Sequence, residues 1–243
     1  MNRVFCLSSC KKKDIIEITD KEQLHHLHVL RVVPGEKLAA FDEKGNEYRA
    51  TLSRLSRNTA VLAVEEAVAP EKAATAFLTV ACAVPKKSHF DDIVDKLTQV
   101  GVDSIIPMVT ERVIVRMDKA DAAVRQKRWE KIALNASLQS QRNTVPFVSP
   151  VKDFESVILG SSGSGLKLIA TLVPGRKSLK ETLVSPRPQS VLALIGPEGD
   201  FSPSETRLAT GAGFVPVSFG ANVLRVETAA VYIASAISYE YGL

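Results

Sequence analysis

Two short stretches of this 243-residue chain have the residue types and spacing to hold a ligand. One is Gly196-Pro197-Glu198-Gly199-Asp200; the other is Phe219-Gly220-Ala221-Asn222-Val223-Leu224-Arg225. Each follows an apolar, strand-like run and leads to a helical pattern. That puts glycines and backbone amides at the carboxyl ends of strands, where open α/β sheets take up ligands. Gly196 and Gly199 let the chain bend sharply and let a flat ring, such as an adenine, approach the main chain. Arg225 stands just before a helix that starts near Glu227. A cation there opposes the helix dipole, which favours cations at the other end. A charge kept in that position points to function, with Glu227 or an anionic substrate to offset it.

Other chemistry-bearing groups weigh less. The glycines between Gly160 and Gly165 precede a strand, whereas a dinucleotide loop follows one, so they read as a flexible surface linker. His25, His26 and His28 fall within four helical residues and do not converge on one ion, so no metal site is expected. Cys6, Cys10 and Cys82 contain no CxxC pair, which argues against disulfides and zinc. Arg125, Lys127, Arg128 and Lys131 cluster on a long helix, with Arg112 and Arg116 before it and Arg142 after it. The bland reading is a solvated face; the functional one is a phosphate-binding surface. Trp129, among these charges, reads as packing ahead of base stacking.

The elements that must position these groups change character along the chain. Residues 1–70 are β-rich, with Lys37–Asp42 and Glu47–Leu52 flanking a hairpin turn at Glu43–Asn46. Another strand covers Thr59–Val64, and Thr19 or Asp20 caps a short helix through Leu24, Leu27 and Leu30. Lys11-Lys12-Lys13 reads as a solvated loop. Several short strands with one helix suggest a small barrel-like module. The Pro, Ala and charge content of Ala67–Ala76 marks a linker, which divides the chain into 1–70 and 71–243.

From Phe77 the pattern is α/β. Buried strands are expected at Phe77–Val84, Ser104–Met108, Leu166–Val173, Val191–Ile195 and Val215–Val217. Helices are expected at Ser88–Val100, Asp118–Gln141, Ser178–Val184 and Glu227–Tyr241, and from the capping box Ser202-Pro203-Ser204-Glu205 onwards. The net charge of +4 permits a nucleic-acid partner without requiring one. Met1–Phe5 lacks the apolar region of a signal peptide and no run of about 18 apolar residues exists, so a cytoplasmic protein with no membrane partner is expected.

At its two loops the sequence resembles the SPOUT superfamily of methyltransferases, and within it the ribosomal RNA small subunit methyltransferase E family. The matching pieces are Ile195-Gly196-Pro197-Glu198-Gly199 with Phe201, Ser202 and Glu205, and Leu224-Arg225-Val226-Glu227-Thr228-Ala229. Gly101-Val102, Glu111-Arg112, Arg128 to Ile132, Gln139 to Arg142 ahead of Pro146, and His25-His26-Leu27 with Val29-Leu30-Arg31 and Gly35 match as well. Departures are Gln99, Leu138, and Asp200 where glycine is frequent; none touches the two loop cores.

The resemblance implies an α/β protein: a small PUA-like β-barrel, then a SPOUT domain whose carboxyl end forms a trefoil knot. It implies S-adenosylmethionine (SAM) as methyl donor, methylation of uridine N3 in 16S ribosomal RNA, and a homodimer acting on that RNA or on the small ribosomal subunit. The implied cofactor contacts are Leu172, Ile195, Gly196, Pro197, Glu198, Gly199, Phe219, Gly220, Leu224, Arg225 and Thr228. Arg225 would stabilise developing charge or hold the target phosphate, and Glu198 or a water would take the proton. Arg31, Arg112, Arg116, Arg128 and Arg142 would hold RNA. The alternatives are a SPOUT ribose 2′-hydroxyl methyltransferase and a non-catalytic RNA-binding assembly factor.

Overall fold

The computed structural model describes residues 1–68, 76–85, 89–113, 117–183 and 186–242. They form two compact units: Met1–Lys72 with Ser137–Val145, and Ala73–Ala136 with Pro146–Leu243. Arg116 and the boundary expected at 70/71 lie outside the described residues.

The first unit contains β1 (Asn2–Cys6), β2 (Lys11–Lys12), β3 (Ile15–Ile18), α1 (Lys21–Val29), β4 (Lys37–Asp42), β5 (Glu47–Leu55) and β6 (Ala60–Val68). They make a six-stranded sheet in the order β1-β4-β5-β6-β3-β2. Alternate residues of the strands, among them Val4, Ile16, Leu38, Leu52 and Leu62, bury into one cluster with Leu24 and Leu27 of α1. A single cluster fed by both ends of the sheet requires the sheet to curl around it. Asp20 caps α1 by accepting from the amides of Glu22 and Gln23 at 3.0 and 2.9 Å. The β4–β5 hairpin closes where the sequence puts it, because Asp42 accepts from the amides of Lys44 and Asn46 at 2.9 and 3.0 Å.

Two features of this unit depart from the sequence reading. β1 was not anticipated; it pairs in parallel with β4 and carries Arg3 into the structure. The Arg3 guanidinium stacks 5.2 Å from the Phe41 ring centre and donates to the Glu47 carboxylate, the Asn143 side chain and the Arg142 carbonyl, which ties Ser137–Val145 into this unit. Lys11 and Lys12 are a strand instead of a solvated loop, and the Lys11 ammonium lies 5.4 Å from the Tyr48 ring centre. His26 and His28 donate from Nε2 to the carbonyls of Arg3 and Ser56, at 3.1 and 3.3 Å.

The second unit continues with β7 (Phe77–Ala83), α2 (His89–Gln99), β8 (Ser104–Val109), α3 (Lys119–Gln139), β9 (Phe147–Val148), β10 (Lys152–Asp153), α4 (Phe154–Leu159), β11 (Leu166–Ala170), β12 (Lys177–Ser178), α5 (Leu179–Thr182), β13 (Ser190–Ile195), α6 (Pro203–Gly211), β14 (Val215–Ser218) and α7 (Val226–Tyr241). Its strands run β10-β8-β7-β13-β11-β14-β12, with β9 also on β8. Every described pairing in this sheet is parallel. Parallel strands need both faces covered, which explains their near-continuous apolar runs. On α7, Val226, Ala229, Ala230, Ile233, Ala234 and Ile237 are buried at helical spacing. The Ser238 hydroxyl donates to the Val100 carbonyl at 2.8 Å, at the end of α2.

Trp129 is 2 % exposed, packs 4.6 Å from the Phe90 ring centre and donates its indole N–H to Asp91 at 3.1 Å. It is therefore a core residue and cannot stack a base. In the glycine run, Gly160 ends α4, which was not anticipated, and the Ser161 hydroxyl donates to the Ile158 carbonyl at 2.7 Å. No helix among the described residues is long and apolar enough to cross a membrane.

Candidate functional site

Three strands of the second unit end at one level. Ala170 at the end of β11 is paired with Ile195 of β13 on one side and with Val217 of β14 on the other. β13 and β14 follow β11 in sequence yet flank it on opposite sides. The order in which strands are added reverses around β11, the kind of position where open α/β sheets form ligand crevices. The loops leaving the three strands line one cleft, which includes Leu172, Gly196, Pro197, Glu198, Phe219 and Gly220. The walls also include Thr171, Arg176, Asp200, Ser218, Asn222, Val223 and Leu224.

The loop after β13 is shaped by packing and by hydrogen bonds. A β-carbon built on Gly196 would sit 3.0 Å from the Phe201 ring, so any side chain here would have to push that ring aside by a few tenths of an ångström. Phe201 is itself buried, 5.5 Å from the Phe154 ring centre. The Asp200 amide donates to the Pro197 carbonyl at 2.9 Å and closes a tight turn. From outside, Arg112 donates to the Gly199 carbonyl at 2.6 Å and the Phe201 carbonyl at 3.5 Å. Glu205 completes the capping box on the Ser202 amide at 2.8 Å and accepts from the Glu111 amide at 2.8 Å. Both partners of that loop, Arg112 and Glu205, lie where the sequence marked motif residues.

The other two loops have their own fasteners. The loop after β14 turns at Gly220, whose φ of 113° only glycine adopts readily. The Ser218 hydroxyl accepts from the Gly220 amide at 3.2 Å, and the Phe219 ring lies 5.2 Å from the Tyr232 ring centre on α7. In the loop after β11, Arg176 donates to the carbonyls of Leu172 and Val173 at 2.8 and 3.0 Å.

The expected site residues are thus not all equivalent. Leu172, Gly196, Pro197, Glu198, Phe219, Gly220 and Leu224 share the cleft. Ile195 is buried in the sheet and is not among the residues lining the cleft. Gly199 faces the Arg112 side chain. Arg225 is exposed at the N-cap of α7, between the cleft residues Leu224 and Val226, and its side chain does not cap the helix. Thr228 lines a separate, apolar groove along α7 with Lys96, Val231, Tyr232 and Tyr239. Of the expected RNA contacts, Arg31 is exposed with φ 55° and Arg142 is half-buried, its guanidinium donating to the Thr144 hydroxyl at 3.2 Å. In the second unit, Arg128 pairs with Asp91, and Arg112 serves the loop after β13.

Sequence reasoning missed Thr171, Arg176 and Asp200 as cleft residues. Nothing in the local sequence of Arg176 signals its role. Asp200 stands where glycine is frequent, and its φ of 59° accounts for both, since aspartate tolerates left-handed backbone better than most residues. Cys82, paired with Ile195 beside the cleft, is fully buried. Burial pushes its thiol well above the ordinary range, and the Glu227 and Glu198 charges push the same way. A thiol held protonated is not a nucleophile.

Comparisons with known proteins agree with this geometry. The RNA methyltransferase domain family matches residues 72–238, and the RNA methyltransferase PUA domain family matches residues 18–65. The ribosomal RNA small subunit methyltransferase E of Bacillus subtilis is 30 % identical over 228 residues, covering 92 % of this chain and 89 % of that protein. Its counterpart from Synechocystis is 31 % identical over 228 residues, covering 89 % and 72 %. The crystal structure of a ribosomal RNA small subunit methyltransferase E from Neisseria gonorrhoeae bound to S-adenosyl methionine superposes with a TM-score of 0.89 at 28 % identity, over 99 % of this chain and 98 % of that one. The chain belongs to the RNA methyltransferase domain family and, within it, to the ribosomal RNA small subunit methyltransferase E family.

The packing at Gly196 gives a direct test. Gly196→Ala should lower stability by about 1–3 kcal/mol in urea unfolding, the usual range for overpacking. Gly163→Ala, with open space around its added carbon, should leave stability within about 0.5 kcal/mol. Equal stability of wild type and Gly196→Ala would contradict the packing argument.

Proposed function

We propose that this chain transfers a methyl group from SAM to N3 of a uridine in small-subunit ribosomal RNA. The observation that carries the reading is the convergence of three strand ends on one glycine-lined cleft in a chain of this family. The cleft fits the cofactor in kind. Gly196 and Gly220 expose main chain for polar contacts with a purine and ribose, and Leu172, Val223 and Leu224 supply apolar walls. Bound there, SAM supplies an electrophilic methyl group.

The chain's own residues have three tasks. They must present N3 in line with that methyl, let the imide proton leave, and balance charge developing on the uracil carbonyl oxygens. Positioning is the largest contribution, since it turns a bimolecular encounter into a local one. Arg225, exposed beside the cleft, supplies the positive charge for the uracil or its phosphate. Glu198 in the cleft wall, or a water beside it, takes the proton. N3 is hidden in a Watson–Crick pair, so the uridine is read unpaired. Arg31 and Arg142 of the first unit, and Arg112, Arg116 and Arg128 outside it, are the proposed contacts to the surrounding RNA. A cytoplasmic location follows from that substrate.

We further propose a homodimer, formed through the outer face of α7. Tyr239 is 90 % exposed there, and Tyr232, Val231 and Ala236 line the same groove. Light scattering at micromolar concentration should then give twice the mass of one chain; a monomer would remove this part of the proposal.

Arg225→Ala should reduce transfer of labelled methyl to small-subunit RNA by a hundredfold or more, of the order seen when one charge-stabilising group is lost. SAM affinity by isothermal titration should stay within about threefold. Arg142→Ala should instead weaken RNA binding and reduce its salt slope by about 1. Unchanged turnover in Arg225→Ala, or an unchanged slope in Arg142→Ala, would remove the role assigned to that residue.

A further inference from the structure

The carboxylate of Asp200 is the most heavily engaged group in the cleft wall. Its Oδ2 accepts from the Thr171 hydroxyl at 3.0 Å and from the Leu172 amide at 2.9 Å. Its Oδ1 accepts from the Phe201 amide at 2.8 Å. The residue therefore joins two loops 28 positions apart, one leaving β11 and one leaving β13. Hydrogen bonds to an ionised acceptor are among the stronger ones available to a loop. No ion pair engages Asp200 among the described residues, so amides and a hydroxyl do this work.

The peptide of Leu172 is the point on which this network acts. Its N–H is held by Asp200 and its carbonyl by Arg176, at 2.9 and 2.8 Å. The Leu172 side chain is 50 % exposed and lines the cleft. An apolar side chain left that open is not located by core packing, so its position depends on the main chain that carries it. Asp200 also adopts φ 59°, which lets its carboxylate fold back across the turn closed by the Pro197 carbonyl.

We propose that Asp200 is a positioning residue. It clamps the loop after β11 to the loop after β13 and so holds the cofactor cleft in its binding shape before the ligand arrives. The proposal rests on the reading of this cleft as the SAM site. Its energetic consequence is a population effect: when the binding-competent form is only a fraction of the protein, apparent affinity falls by that fraction.

The test uses the full chain with Asp200→Gly, Asp200→Asn and Thr171→Val. Glycine keeps the left-handed backbone and removes every acceptor; asparagine keeps the backbone preference and one oxygen; valine removes one donor while leaving Asp200 in place. Hydrogen exchange of the ligand-free protein should show the Leu172 amide exchanging about tenfold faster in Asp200→Gly, with the Asp200→Asn value between glycine and wild type. Isothermal titration should show SAM binding weakened by about tenfold in Asp200→Gly and by less in Thr171→Val. Turnover should fall more at low SAM than at high SAM, because the clamp acts on binding. Wild-type exchange at Leu172 in Asp200→Gly would overturn the clamp, as would wild-type SAM affinity beside faster exchange. Should the wild type itself bind no SAM, the reading of the cleft fails, and the exchange measurement still decides the clamp.

Discussion

Everything at the site depends on how three parallel strands are ordered. β11 lies between β13 and β14, and Ala170, Ile195 and Val217 stand in one row across them. Loops separated by dozens of residues therefore emerge side by side, with no long excursion needed to bring them together. The apolar character of these strands fixes the row. Leu168, Ile169, Leu194 and Val217 are essentially inaccessible, and a register slip would break ladder bonds on both sides of β11. The catalytic geometry thus inherits its precision from the hydrophobic core, and the polar groups above it only have to close the remaining gaps.

Those gaps are closed by a few side chains whose hydrogen bonds end mostly on main chain. Arg112 holds the outside of the loop after β13, Glu205 joins it to the segment at Glu111, Asp200 ties it to the loop after β11, and Arg176 holds that loop in turn. Each bond fixes a peptide and leaves the cleft floor to glycine and main-chain atoms. This suits the SAM site proposed for the cleft, which would accept a flat ring and release it again. Arg225 follows a different logic. Its side chain does not cap α7 and it is exposed, which supports the substrate role proposed for it.

The legible part of this molecule was whatever is encoded within a few residues. The capping box at Ser202, the hairpin around Glu43–Asn46 and the buried strands from Phe77 onward were readable because local spacing determines them. The two glycine loops stood out for the same reason, and in the structure they line one cleft. What stayed hidden were pairings between distant segments. β1 is a strand because β4 is available to it, and Asn2–Cys6 alone carries little signal. Arg112 was read as an RNA contact, and its hold on two carbonyls nearly ninety residues away was not legible. Asp200 looked like a neutral departure from the glycine frequent there, until the Thr171 hydroxyl and the Leu172 amide were seen to end on it.

The central claim is that this cleft directs a methyl group from SAM to N3 of an unpaired uridine. Nucleoside mass spectrometry of small-subunit RNA from a strain lacking the gene, before and after incubation with the protein and labelled SAM, tests it most directly. The account predicts one new labelled nucleoside, 3-methyluridine, appearing only with wild-type protein. Label on a ribose 2′-hydroxyl, or RNA that binds the protein yet gains no methyl group, would contradict it.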